Sequence, residues 1–180
     1  YTRPRELEYL GALYIFAGNT FFYPYDSSNM IVINPKGQVV DEGLNGEIDL
    51  LLYDVSDIED VKIVNSISFG GNGSETIVDK NHSSFLFSRS KNIISFPVDI
   101  KNASGDIFGA ANFKGAVVLN VSRSGFSLKG LVSQNIDSTR SNNIKRILYA
   151  NNLIYTFSDA GMEVNAVKSL NSLKFLDIYN

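Results

Sequence analysis

The chain has no cysteine and no tryptophan, one histidine and four prolines in 180 residues. Without cysteine there is neither a disulfide framework nor a thiolate metal site. Without tryptophan, a sugar-stacking platform loses its commonest residue. Charge is sparse as well. Sixteen Lys and Arg stand against 19 Asp and Glu, a net charge of −3, and no basic block marks a nucleic-acid footprint. No stretch reaches the roughly eighteen apolar residues of a spanning helix. The nearest, residues 10–23, is broken by Asn19 and Thr20, stopped by Pro24, and reads as strand material. Also missing is a sustained i, i+3, i+4, i+7 pattern, so no amphipathic helix is expected. The chain opens at Tyr1 with neither a methionine nor a recognisable signal peptide, so a mature product or a fragment is expected.

What is present has a period of two. Val61, Ile63, Ile67 and Phe69 share one face of a strand, as do Ile94, Phe96 and Val98. Val117, Leu119 and Val121 repeat the pattern, then Phe126, Leu128 and Val132, then Leu153, Tyr155 and Phe157. Side chains two apart point to the same side of a strand, so each run is expected to bury one face and show the other. β-branched and aromatic residues fill these positions, as strands prefer. Turn residues fall between the runs: Asn34-Pro35-Lys36-Gly37, residues 88–92, Ser122-Arg123-Ser124-Gly125 and Asn151-Asn152. Asn tolerates the positive φ of tight hairpins, so the strands are expected to form an antiparallel meander. Residues 101–112 read as a long loop or insertion. The fold class is all-β.

Two strand pairs recur in alternation. Residues 84–87, a turn and residues 93–96 are echoed by residues 146–149, a turn and residues 153–157. Residues 52–56 with 61–64 are echoed by residues 119–122 with 126–129, and more weakly by 162–165 with 173–175. Together they make a four-stranded unit. Val121 and Val164 are 43 residues apart, inside the roughly 40–50 residues of a propeller blade. Val55 and Val121 are 66 apart, the excess falling in residues 70–81 and around Ser104. Each such sheet needs neighbours on both faces, which favours a radial array of blades over a two-sheet sandwich. The repeat supplies two well-matched blades and part of another, while closed propellers need at least about four. The chain therefore reads as an incomplete, C-terminal part of a propeller. Residues 1–48 are N-terminal strands of uncertain blade assignment and residues 49–180 are C-terminal blades. The missing surface is expected from preceding blades of the same protein or from neighbouring subunits, with the aromatic stretch of residues 9–25 against that neighbour.

Three stretches carry a family likeness: Leu52-Tyr53-Asp54-Val55-Ser56-Asp57; residues 81–87 leading into 91–98; and Lys114-Gly115-Ala116 followed by residues 144–149 and 155–159. In these the chain resembles secreted bacterial and archaeal proteins with a C-terminal β-propeller domain distantly related to WD40 repeats. The likeness spans roughly residues 49–180 and is poor before them. It departs at Ile58, where the family usually has proline. The resemblance implies export and a propeller, and brings no assigned chemistry.

Candidate sites are few. Four N-x-S sequons, at Asn72, Asn81, Asn102 and Asn120, are possible glycan acceptors on an exported protein. About three would arise by chance at this composition. Asn72 and Asn102 lie in loop-like stretches, and Asn120 must point outward between Leu119 and Val121. Asp54, Asp57, Glu59 and Asp60 lack the glycine and terminal glutamate of a calcium loop; bonding to the turn backbone explains the first two more simply. His82 has no surrounding nucleophile motif and is expected at a blade junction or facing water. Gly70-Gly71-Asn72-Gly73 lacks the Lys-Ser/Thr of a phosphate loop and reads as a flexible connection between blades. The expected function is a binding or structural module, secreted or at the cell surface, without cofactor, metal or nucleic acid. The alternative is a hydrolase of extracellular polymer using paired carboxylates among Glu47, Asp49, Glu75 and Asp79, which glycosidic chemistry would hold roughly 5–10 Å apart.

Overall fold

The two-residue alternation becomes twelve strands in three sheets in the computed structural model, which describes residues 20–34, 47–101, 112–134 and 140–178. Strands β1 (Phe21–Pro24), β2 (Asn29–Asn34), β3 (Ile48–Asp54) and β4 (Lys62–Phe69) form the first sheet. The second holds β5 (Leu86–Ser88), β6 (Ile93–Ile100), β7 (Phe113–Ser122) and β8 (Gly125–Val132). The third holds β9 (Arg146–Ala150), β10 (Leu153–Phe157), β11 (Met162–Ala166) and β12 (Ser172–Leu176). Every pairing is antiparallel between sequence neighbours. Among the described residues the one helical element is a three-residue 3₁₀ turn, His82–Ser84. The hairpins use the expected chemistry, with positive φ at Asn92 (51°), Asn151 (51°) and Asn152 (63°).

The sheets stack as blades. Ile31, Ile33, Leu50, Leu52 and Phe69 of the first face Ile94, Phe96, Val117 and Leu119 of the second in one buried seam. On the opposite face of the second blade, Ile93, Ala116, Val118 and Val132 meet Ile144, Ile147, Ile154 and Val167 in another seam. The order of blades follows the order of sequence.

Three expectations change. Strands were expected to bury one face, but residues 48–53, 93–98 and 115–119 are buried without interruption: the second blade lies between two others, and on the far face of the first Leu51 and Tyr53 cluster with Val32, Met30, Val55, Val61 and Ile63. Only part of another blade was expected beside the two matched ones; β1 and β2 instead complete a third four-stranded sheet with β3 and β4. The sequence leads one to expect the aromatic stretch against a missing neighbour. Its described end packs inside the chain, with Phe21 against Phe85 at 4.9 Å, Tyr23 against Phe87 at 5.3 Å and Tyr25 against Phe87 at 5.7 Å between ring centroids. Residues 9–19, the turn after Asn34 and residues 102–111, which include Asn102, lie outside the described residues.

The Gly70-Gly71-Asn72-Gly73 connection is also not the flexible link expected. Gly71 N–H donates to the Lys101 carbonyl at 2.7 Å. The Ser74 hydroxyl donates to that same carbonyl at 3.0 Å and accepts from Lys101 N–H at 2.8 Å. Gly70 sits at φ +69°, where an added Cβ would lie 2.2 Å from Ser74 Oγ. The connection is pinned to the end of β6, and glycine is what lets it lie so close.

Candidate functional site

Each seam within the chain combines an apolar face with polar clamps. Across the first, Arg123 Nε donates to Asp26 Oδ2 at 2.7 Å, and Phe126 N–H donates to Asn65 Oδ1 at 3.0 Å. Asn65 fits there because Gly125 has no side chain: a Cβ on it would lie 2.4 Å from Asn65 Cγ. Across the second, Asn81 Nδ2 donates to the Lys145 carbonyl at 2.8 Å, and Gln134 reaches from the end of β8 into β10.

The outward face of the third blade has the same make-up, and among the described residues no blade lies upon it, though Val164 within it is buried. Strand register places Leu148, Tyr155 and Val164 in one row and Arg146, Phe157, Met162 and Leu176 in the next. Their counterparts in the first blade, Ile31, Ile33, Leu50 and Leu52, are fully buried by the second. Leu148 is instead 39 % exposed, and Ile178 beside it 49 %. Together with Lys145, Arg146, Phe157, Ser158 and Asp159 they line a groove of about 270 Å³. Lys145 is held by both oxygens of Asp159 at 2.7 Å. Arg146 is exposed on the groove wall and makes no ion pair among the described residues. This is a surface that can hold an apolar side chain accompanied by an anion. Nothing in the local sequence marks it, since the same alternation occurs in buried blades.

The residues singled out from sequence lie elsewhere. Asn72 and Asn120 are exposed. Asn81 is half-buried, its amide committed to the Lys145 carbonyl and to the Ser83 hydroxyl, so a glycan there would have to fit inside a seam. Replacing Asn81 with alanine is expected to cost about 1 kcal/mol, read as a lower urea midpoint at unchanged slope. His82 is exposed beside Phe21, with ring centroids 5.1 Å apart, at the junction of the first two blades. Among the acids, Asp54 accepts from Ser56 N–H and Asp57 from Glu59 N–H, the turn-bonding roles expected of them. Asp60 pairs with Lys62. No group of three His, Cys, Asp or Glu side chains that could hold a metal converges among the described residues.

Of the four carboxylates of the hydrolase alternative, Glu47 lies near enough to Asp49 for its charge to act on it. Asp49 is 1 % exposed and accepts from the Ser68 hydroxyl. Exposed Glu75 pairs through its backbone with Asp99, near a cavity of about 80 Å³ between the second blade and residues 143–144. Asp79 lies in the turn before the 3₁₀ element, and Glu47 N–H donates to the Phe69 carbonyl.

Three carboxyls have shifted acidity. Burial, reinforced by the nearby Glu47 charge and opposed by the Ser68 hydrogen bond, holds Asp49 above its ordinary value. The Ser28 N–H and then the Arg123 guanidinium hold Asp26 below its own. Ser56 does the same for Asp54. The signs oppose. The folded chain binds the Asp49 proton more tightly than the unfolded chain, so Asp49 makes stability rise as pH falls from neutral through its raised value, levelling below the unfolded value near 3.8. Asp26 and Asp54 stabilise above about 3.8, and that contribution is lost as pH falls through their lowered values. Asp49→Asn keeps an acceptor for Ser68 and removes the buried charge. It is expected to raise the melting temperature at pH 7 and to flatten the gain on mild acidification; an unchanged slope between pH 7 and 4.5 would contradict this.

Over residues 2–170 the sequence matches the beta propeller domain family. The chain belongs to that family. The match takes in the first fifty residues, where the sequence likeness was poor, and agrees with β1 and β2 completing a blade. No curated protein matches the sequence. A propeller is a rigid stack with loop-lined ends, which supports a binding or structural module in general.

Proposed function

We propose that this propeller module works outside the cell, or on its surface, as a binding and assembly unit that holds its partner on the uncovered face of the third blade. The observation that carries this reading is the contrast between two like faces: Leu50 and Leu52 at 0 % exposure under a neighbouring blade, and Leu148 at 39 % without one. The partner is a preceding blade of the same protein or a neighbouring subunit. The absence of cysteine makes the test direct. Leu148→Cys introduces a single thiol, which is expected to react rapidly with a maleimide in the isolated chain and to be protected in the assembly taken from source material. Equal reactivity in both would overturn the binding-face reading.

Export is supported by the exposure of Asn72 and Asn120 and by the likeness to secreted propeller proteins. Peptide mass spectrometry of source material is expected to find glycan on Asn72, Asn102 or Asn120, with Asn81 unmodified. All four unmodified would remove glycosylation as support. In this reading the carboxylates serve the fold rather than hydrolysis, as Asp49 does with Ser68.

A further inference from the structure

The connection between the first two blades contains a tight turn with reactive chemistry. Ser74 N–H donates to the Gly71 carbonyl at 3.0 Å, closing a turn with Asn72 and Gly73 at its corners. Gly73 sits at φ +87°, the sign a type II turn requires at its third residue, where glycine is favoured. Asn72 and Gly73 are both exposed, while Gly71 and buried Ser74 on either side are tied to Lys101. The Gly73 N–H makes no hydrogen bond among the described residues. Without a Cβ on Gly73, little shields that nitrogen. Glycine also accepts either sign of φ, so the Asn72–Gly73 peptide plane can turn toward the Asn72 side chain. Asn65, the nearest asparagine in sequence, lacks this combination. Its Oδ1 accepts from Phe126 N–H, and the residue after it, Ser66, is held in the ladder opposite Leu51.

We infer that Asn72 is a site of spontaneous deamidation through the backbone nitrogen of Gly73. Hydroxide takes the Gly73 amide proton, and the nitrogen attacks Asn72 Cγ. The Cγ–Nδ2 bond breaks, ammonia leaves with a proton from water, and a succinimide ring remains. Water then opens the ring. Opening at Cγ gives aspartate, and opening at the main-chain carbonyl gives isoaspartate. The balance is one water consumed, one ammonia released and one negative charge gained. Isoaspartate moves the side-chain methylene into the main chain, inside the ring closed by Ser74 N–H and the Gly71 carbonyl. That shift displaces the Ser74 hydroxyl from the carbonyl and N–H of Lys101, releasing the connection from the end of β6. The reaction also destroys the amide a glycan would occupy, so a deamidated Asn72 is closed to glycosylation.

The test holds the folded, unglycosylated 180-residue chain in mildly alkaline buffer over days and maps its tryptic peptides by mass. Residues 63–80 form one peptide carrying both Asn65 and Asn72, and the other Asn-Gly pair, at residues 45–46, falls on a different one. Asn72 is expected to convert at least about tenfold faster than Asn65, a barrier lower by about 1.4 kcal/mol. Its products are expected to be aspartate and isoaspartate together, formed faster as pH rises. Asn72→Gln, which would have to close a larger ring, is expected to leave the position unmodified while circular dichroism stays that of the parent. As isoaspartate accumulates, the Lys101 amide is expected to exchange faster with deuterium, since Ser74 no longer accepts from it. An Asn72 that stays intact in the folded chain while converting in urea overturns the inference. So does conversion to aspartate alone, which would mean direct hydrolysis without the Gly73 nitrogen.

Discussion

Replacing Phe96 with alanine is expected to cost about 3–5 kcal/mol and to separate the unfolding of the first blade from that of the other two. Phe96 is fully buried on the face the second blade turns toward the first. Its ring lies 6.2 Å from that of Phe69 across the seam and 6.5 Å from that of Phe85. Truncation removes the transfer energy of a buried aromatic and leaves a cavity bounded by two sheets, which cannot collapse without shifting a whole blade. In a stacked array stability is a sum of terms within repeats and terms between neighbours. Phe96 sits in a between-neighbour term, so the damage falls on cooperativity as well as on total stability. Urea denaturation should turn from one transition into two, with the first blade lost earlier. Phe96→Leu, which keeps most of the volume, should cost about 1.5 kcal/mol or less and stay cooperative. A single transition in Phe96→Ala, displaced by under about 1 kcal/mol, would mean that the seam contributes little to holding the blades together.

The strands and their hairpins were legible in the sequence because both are local. A period of two and an asparagine at a turn act over a few residues, and Asn151-Asn152 is read the same way alone or in the fold. The alternation of strand pairs made blades legible too. It misled where burial depends on what lies beyond the sheet. Leu50, Leu51 and Leu52 are adjacent and all buried, since blade stacking covers one face and further packing the other. The first sheet was incomplete in the reading because Phe21–Pro24 and Asn29–Asn34 are short and lack a close copy in the later blades. The candidate binding face was not legible at all. Leu148 and Tyr155 have the alternation of any buried strand, and the position of their blade in the stack leaves Leu148 exposed and Tyr155 half-buried.

The polar clamps escaped the reading for the same reason. They join positions far apart in sequence: Asp26 with Arg123, Asn65 with Phe126, Asn81 with Lys145. An isolated asparagine between strands looks like turn chemistry. The nearest thing to a signal was the sequon at Asn81, which drew attention to the residue for a modification its seam position disfavours. Gln134, just past the end of β8, gave no signal of any kind.

That glutamine should nonetheless be among the most sensitive polar positions in the chain. It is 2 % exposed. Its Nε2 donates to the Thr156 carbonyl at 2.8 Å and to the Thr156 hydroxyl at 3.2 Å, and its Oε1 accepts from the Ser158 hydroxyl. Its own carbonyl accepts from Asn142 Nδ2 at 2.9 Å, so the residue ties the second blade, the connection and the third blade together. Thr156 and Ser158 are themselves buried. Gln134→Ala therefore does more than delete hydrogen bonds: it leaves a buried hydroxyl and carbonyl short of their partner, each worth about 1–3 kcal/mol of lost solvation. A total of about 2–4 kcal/mol is expected, read by thermal unfolding against the parent. Gln134→Glu sharpens the test, because it preserves size and the acceptor for Ser158 while replacing the donor to Thr156 with a charge. Burying that charge against a carbonyl costs more than the missing amide, so Gln134→Glu should be less stable than Gln134→Ala at pH 7 and recover as its carboxyl is protonated in acid. If both variants unfold within about 0.5 kcal/mol of the parent, the second seam is held by its apolar face alone, through Ile93, Val118, Ile147 and Ile154.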